Sequence, residues 1–359
     1  MVRDIGDIPP TTWNREESGR TPTSRSRADD PIDQVLLHAV LGQACGTLSM
    51  IDLATGEEFN SWTAHTDWIL ALDVDWAEMR ALSGGGDGLL VLWDLTTGFN
   101  CELVLPEGVP RSPVRAIRCN WDDNKPQALT GFDSGRLILW DLAERKCEKV
   151  MSVRLDLIAS IDVDWAKRRV LVGHGDAGLD LVDLDSGERV RSYAGHTCIV
   201  AAIAVNWQKA RALCGSGDGA LVLWDLRKGS QMHTLLGHKG SITAVLAKWE
   251  TQRGLSCSAD TKIRLWNLKA GECLAVASAH ETPVRSMVSD WNSSLMLTCS
   301  SDGQLYVWEV EDSKVIGPEE IEAESREPSR AATAMSLKAQ NRALCAEIEE
   351  GCFSRMISR

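Results

Sequence analysis

The stretch HTCIVAAIAVNWQKARALCGSGDGALVLWD, residues 196–225, decides the fold. An apolar run starts at Val200, has the small Ala202 as its third residue and ends at Trp207. A second run, Arg211-Ala212-Leu213-Cys214, breaks at Gly217-Asp218-Gly219, residues that supply the positive φ of a tight hairpin. A third run, Leu221 to Trp224, closes on the dipeptide Trp224-Asp225. Read outward, the stretch repeats. Trp76, Trp121, Trp165, Trp207, Trp249 and Trp291 stand 45, 44, 42, 42 and 42 residues apart. A second series follows 17 to 19 residues behind: Trp93, Trp140, Trp224, Trp266 and Trp308, with Val182 in the one vacant place. Next to these come Asp94, Asp141, Asp183, Asp225, Asn267 and Glu309. The two series hold eleven of the 14 Trp, in a chain with only 4 Phe and 2 Tyr.

A period of about 40–45 residues that carries a Trp-Asp dipeptide is the signature of a β-propeller. Each unit reads as four short antiparallel strands, so the chain is all-β. The innermost strands begin at Ile69, Val114, Ile158, Val200, Ile242 and Val284. Their third residues are Ala71, Ala116, Ser160, Ala202, Ala244 and Ser286, small as expected where inner strands converge and blades crowd together. The outer strand is polar, as in Glu272–Val276, and no helix-period segment of useful length interrupts the pattern.

With these motifs the sequence resembles the WD-repeat proteins over about residues 35–316. The resemblance implies a buried tetrad in each blade: a His before the inner strand, a Ser or Thr in the second strand, the turn Asp and the third-strand Trp. Three sets carry over complete: His65, Ser83, Asp87 and Trp93; His238, Ser256, Asp260 and Trp266; His280, Thr298, Asp302 and Trp308. The unit of His196, Asp218 and Trp224 has Cys214 in place of the hydroxyl, which predicts a weaker network. Around Trp140 the His place holds Pro110 and only Thr130 is retained beside the Trp. The Val182 unit lacks His, hydroxyl and Trp, and both poor units are expected to lean on packing. The Trp that ends each inner strand departs from the common family pattern; its uniform repetition favours an architectural role over a ring of contact points.

Six units are complete. Residues 35–62 supply the last three strands of another, because Gly46, Ile51-Asp52 and Thr55-Gly56-Glu57 fall on the period. Arg342-Ala343-Leu344-Cys345 repeats Arg211-Ala212-Leu213-Cys214, and Gly351 to Met356 continues like a third strand. Both end fragments keep register, so eight blades are favoured over seven. The propeller domain is placed at residues 34–359. Residues 1–33, rich in Pro, acids, Arg and Ser/Thr, form a tail too polar to order itself. Glu319, Glu320, Glu322, Glu324 and Glu327 mark an acidic loop insertion at about residues 317–329.

The chain has 359 residues, 25% of them charged and 44% apolar, with a formal charge of −13. That charge disfavours phosphate backbones and anionic lipid, so neither nucleic acid nor membrane is an expected partner. There is no run of 18 apolar residues and no apolar signal-peptide core, which places the protein in the cytoplasm, with the nucleus also open. Eleven cysteines lie without a CxxC pair. Cys101, Cys147 and Cys273 read as equivalent outer-strand positions, and Cys214 and Cys345 as equivalent second-strand ones, hence packing residues rather than metal ligands. His65, Ser83 and Asp87 are the residue types of a hydrolase triad, but the constellation recurs around the ring where catalysis needs one copy. Asp73 with Asp75 and Asp162 with Asp164 could imitate a glycosidase pair, yet they too recur, as capping groups would. No cofactor, metal or catalytic residue is expected.

What the resemblance implies is a non-catalytic platform for partner proteins or peptides, monomeric itself and part of a larger complex. The residues just before the inner strands are Trp68, Pro113, Leu157, Ile199, Ser241 and Pro283, five of six apolar at an edge that should rim the narrower mouth. Arg115 and Arg285, one step further down their strands, add charge for an acidic ligand. The alternative is a substrate receptor of a cullin-type ubiquitin ligase, because Trp224-Asp225-Leu226-Arg227 matches the WDxR pattern such receptors present to their adaptor.

Overall fold

The computed structural model describes residues 38–310 other than 54, 123, 279 and 291–294, together with 315–316. The described strands form seven antiparallel sheets in chain order. Blade 1 has three strands, β1 (His38–Gly42), β2 (Thr47–Asp52) and β3 (Glu58–Thr63). Blade 2 has four: β4 (Ile69–Asp75), β5 (Arg80–Gly85), β6 (Leu90–Asp94) and β7 (Asn100–Glu102). Four-stranded blades 3 to 7 then begin at Val114, Ile158, Val200, Ile242 and Val284.

Seven apolar clusters hold the ring, each shared by two neighbouring blades. The last joins Ala39, Leu41, Ile51 and Leu53 of blade 1 to Leu297, Cys299, Leu305 and Val307 of blade 7, which closes the circle. The expectation of eight blades is therefore corrected to seven among the described residues. The fragments that carried an eighth, 342–345 and 351–356, lie outside those residues, as do the tail 1–33, the acidic segment 317–329 and Trp291.

The small third residue of each inner strand has a specific cause. Ile69 pairs with Gly85 and Ala71 with Gly84, a bulge that recurs at Val114/Ala116, Ile158/Ser160, Val200/Ala202, Ile242/Ala244 and Val284/Ser286. In blades 2 to 5 the facing second-strand residue is a glycine that lets the next blade approach, while blades 6 and 7 hold Cys257 and Cys299 there. A Cβ on Gly84 would lie 2.5 Å from Val114 Cγ1, and one on Gly215 2.3 Å from Ile242 Cγ2. Gly42 of β1 meets Ile69 in the same way. Thus β1 is a second strand, and blade 1 shows no innermost strand among the described residues.

Two of the inner-strand Trp residues tie blade to blade by hydrogen bonds, while Trp165 and Trp249 join the apolar clusters between blades. Trp121 Nε1 donates to Asp73 Oδ1 at 3.0 Å, and Trp207 Nε1 to Asp162 Oδ1 at 2.8 Å. Backbone N–H groups of Cys119 and Val205 reach the same two carboxylates. Trp76 would need such an acceptor from an inner strand of blade 1, and its buried indole nitrogen has no partner among the described residues.

Candidate functional site

In blade 2, Trp93 Nε1 donates to Ser83 Oγ at 2.8 Å, and Ser83 Oγ lies 2.7 Å from His65 Nε2. His65 Nδ1 lies 3.1 Å from Asp87 Oδ1. An indole only donates and a carboxylate only accepts, so the protons run from Trp through Ser and His to Asp. Blade 6 repeats the chain: Trp266 to Ser256 at 2.8 Å, Ser256 to His238 at 2.8 Å and His238 to Asp260 at 2.9 Å. Burial works to raise the Asp87 and Asp260 carboxyls, but backbone N–H groups and the His outweigh it and hold both below their ordinary range.

Blade 7 departs from the complete set the sequence suggests. Trp308 donates to Thr298 at 2.8 Å and Thr298 meets His280 at 2.7 Å, but the chain stops there. Asp302 takes a hydrogen bond from Ser300 Oγ at 2.5 Å, whereas in blade 6 the equivalent Ser258 Oγ bonds Gly240 O and leaves Asp260 to the His. In blade 5, Trp224 Nε1 reaches His196 Nε2 directly at 3.2 Å past the apolar Cys214. Burial pushes both His196 and His280 down to about 4, only partly opposed by Asp218 and Asp302. Blade 3 keeps a Trp140–Thr130 bond at 2.9 Å.

Blade 4 does not lean on packing alone. With Val172 in the hydroxyl place, a different network stands in: Arg154 holds Asp180 at 2.6 and 3.1 Å and Asp176 at 2.9 Å. Ser192 Oγ donates to Asp180, and the fully buried His174 ring lies 3.4 Å from that carboxylate. Burial would raise Asp180, but His174, Arg154 and Ser192 together hold it far below the usual carboxylate range.

The hydroxyls at the centre of the tetrads are closed off from solvent. Ser83, Ser256 and Thr298 are 0% exposed. Asp73 and Asp75 divide their work: Asp73 receives the neighbouring blade, while Asp75 pairs with Arg80 at 2.7 Å and caps the turn at Ala77. Asp164 likewise caps the turn at Lys167, and burial raises the Asp73 and Asp162 carboxyls. Cys147 and Cys273 each face their blade Trp across the outer strand pair, but Cys101 faces Leu92, one place off the expected equivalence. Among the described residues no group of three His, Cys, Asp or Glu is placed to hold a metal. Ser83→Ala is expected to lower stability by about 1–3 kcal/mol, because Trp93 and His65 lose their shared partner. A serine-reactive probe that labels Ser83 in the native protein defeats this assignment.

The mouth residues occupy equivalent places on one face. The carbonyls of Trp68, Pro113, Leu157, Ile199, Ser241 and Pro283 accept from Gly86, Asp133, Gly175, Gly217, Ala259 and Ser301, pinning each second hairpin. Their side chains differ. Trp68 is 44% exposed, whereas Pro113, Leu157, Ile199 and Pro283 are half-buried. Leu157 and Ile199 lie over Gly175 and Gly217 of their own blades. Arg115 is held in a two-point ion pair with Asp133 at 2.7 and 3.1 Å, and Arg285 donates to Ser301 Oγ at 2.7 Å. Sequence reasoning missed Leu155, wholly exposed in the connection that leads into the blade 4 inner strand. Periodicity could have marked it: the place three residues before the inner strand holds Thr66, Arg111, Thr197, Lys239 and Glu281 in blades 2, 3, 5, 6 and 7, and Leu155 is its one apolar residue.

The family model "WD domain, G-beta repeat" matches residues 56–94, 187–225, 229–267 and 271–309. Eukaryotic translation initiation factor 3 subunit I of Bombyx mori is 25% identical over 154 residues, 40% of this chain and 45% of that protein. The matched stretch thus spans less than half of that relative. The crystal structure of the computationally designed Ika8 protein is similar in fold, with a TM-score of 0.61 and 22% identity over 77% of this chain and 82% of that one.

Proposed function

The chain is a WD-repeat β-propeller, and from that premise we propose that it is a non-catalytic scaffold that docks partner proteins or peptides at the mouth of the ring. Propellers of this family generally serve as protein-interaction scaffolds. The observation that carries the reading is Trp68. Its five equivalents are half-buried or small, so one large aromatic stands exposed where architecture asks for none. An exposed Trp at a rim is the residue type that anchors interfaces. Pro113, Leu157, Ile199 and Pro283 would form the apolar floor around it, and the charges of Arg115 and Arg285 would re-pair with an acidic ligand. The likeness to a subunit of a translation initiation factor supports a place inside a larger complex. The cullin-ligase alternative has less support: it depends on Arg227 alone, whose guanidinium already donates to the Gln208 carbonyl at 3.1 Å.

Affinity capture followed by mass spectrometry, with the intact protein beside Trp68→Ala, tests the reading. Truncation of this aromatic is expected to weaken docking by about 1–2 kcal/mol and deplete the captured partners, while Glu272→Ala on an outer strand changes little. An identical partner set from both proteins contradicts it.

A further inference from the structure

The mouth lies on the face of the fourth-to-first connections; the hairpins between first and second strands lie on the other. There, between blades 4 and 5, is a cleft of about 610 Å3. We propose that it is a groove for an acidic peptide segment of a partner protein, with an apolar side chain set among its carboxylates. This surface is independent of the mouth.

The floor is apolar. Leu181, Trp207 and Ala210 continue the core shared by blades 4 and 5 into the cleft, and Val190 at its edge is 51% exposed. The Trp207 N–H is already given to Asp162, so its ring can offer only carbon surface to an occupant.

The rim is cationic: Lys167, Arg169, Arg191 and Arg227 are all exposed and line the cleft with a single carboxylate, Asp164. Asp164 is committed to the Lys167 N–H at 3.1 Å and ammonium at 3.5 Å. Among the described residues no ion pair engages Arg169, Arg191 or Arg227. Arg191 and Arg227 donate to backbone carbonyls, which leave their charge uncompensated: Arg191 Nη1 to Arg227 O at 2.7 Å, and Arg227 Nη2 to Gln208 O. Asp183, across the strand pair, feels the Arg169 charge without forming an ion pair with it; its Oδ1 is directed to Asp185 N, Ser186 N and Ser186 Oγ.

Blade architecture does not require this arrangement. At the place of Arg169, Arg80 is held by Asp75 and lies 5.5 Å over Trp121, Gln127 bonds Glu148, and Arg211 bonds Gln252. In a chain of formal charge −13, guanidiniums that among the described residues form no ion pair, gathered round an apolar floor, are the complement of an acidic ligand. Each planar fork matches a carboxylate. The cations come from separate segments of two blades, an arrangement that suits several single carboxylates along an extended chain better than one dianion.

The test titrates the full-length protein with a labelled peptide of Glu, Asp and Leu, read by fluorescence anisotropy. Its Gln/Asn counterpart, a phosphoserine counterpart and a single-stranded RNA run in parallel. Arg169→Glu is the variant of choice, since its side chain makes no hydrogen bond among the described residues; an unchanged thermal melt verifies its fold. The acidic peptide is expected to bind, to weaken about tenfold or more with Arg169→Glu and to weaken as salt is raised. Lys269→Glu, at the blade 6 place of Arg227, and Trp68→Ala are expected to leave binding unchanged, so this surface and the mouth fail separately. Equal binding to wild type and Arg169→Glu, preference for the phosphopeptide or RNA, or no binding of the acidic peptide overturns the proposal. So does a gain in affinity on deletion of residues 317–328, which would make the chain's own acidic segment the occupant.

Discussion

Trp266→Ala lowers the unfolding free energy by about 3–5 kcal/mol, among the largest losses for a single substitution in this ring. The side chain is 1% exposed, sits in the cluster that joins blades 5 and 6 and donates to Ser256. Its removal leaves a cavity and also strips the Ser256–His238–Asp260 chain of the donor that fixes its polarity. Val182→Ala, at the equivalent place in blade 4, is expected to cost about 2 kcal/mol, because two methyl groups are lost and no hydrogen bond. Thermal and denaturant melts compare the two directly. Equal losses would show that the tetrad adds nothing beyond packing.

Acidification from pH 7 to pH 5 is expected to destabilise the fold by several kcal/mol. His196 and His280 are held to about 4, below the ordinary 6.5, because burial disfavours the charged ring. Between those values the unfolded chain takes up protons that the folded ring refuses, so stability falls as pH falls through that window. The shift corresponds to about 2 kcal/mol for His280 at pH 5, and less for the more open His196. His238 is lowered too, again chiefly by burial, and adds in the same direction. The raised Asp73 and Asp162 act oppositely: their protonation on folding adds stability as pH falls from their folded range towards the ordinary carboxylate value. Denaturant melts of wild type and His280→Gln at the two pH values read this out. The variant is expected to lose part of the pH dependence, and an unchanged slope would place the sensitivity elsewhere.

The ring was legible because its determinants are periodic. Trp spacing, the small third residue and the Gly/Asp turns repeat, and residues 35–62 read correctly as second to fourth strands. Blade number was not, because register in sequence does not say with which strands a fragment pairs, and the fragments that carried an eighth blade lie outside the described residues. Tetrad residues are visible from spacing, but their connections depend on local competition. Ser300 draws Asp302 away from His280, and nothing in spacing announces that. The Arg154–Asp180 network escaped notice because Arg154 takes the tetrad His place, four residues before Ile158, with a different residue type, and Asp180 and Ser192 stand at third- and outer-strand places where the other blades share no one type. Surface sites resist most: Trp68 stood out by type, whereas Arg169 is defined by its exposure and by having no ion pair among the described residues.

Crosslinking mass spectrometry of the partner complexes captured on the intact protein tests the scaffold assignment most directly. Crosslinks are expected to gather around the mouth, near Trp68, Arg115 and Leu157, and to thin out with Trp68→Ala. Crosslinks that fall mainly on outer strands such as Glu272–Ala277, with every interaction kept by Trp68→Ala and Arg115→Ala, would contradict it.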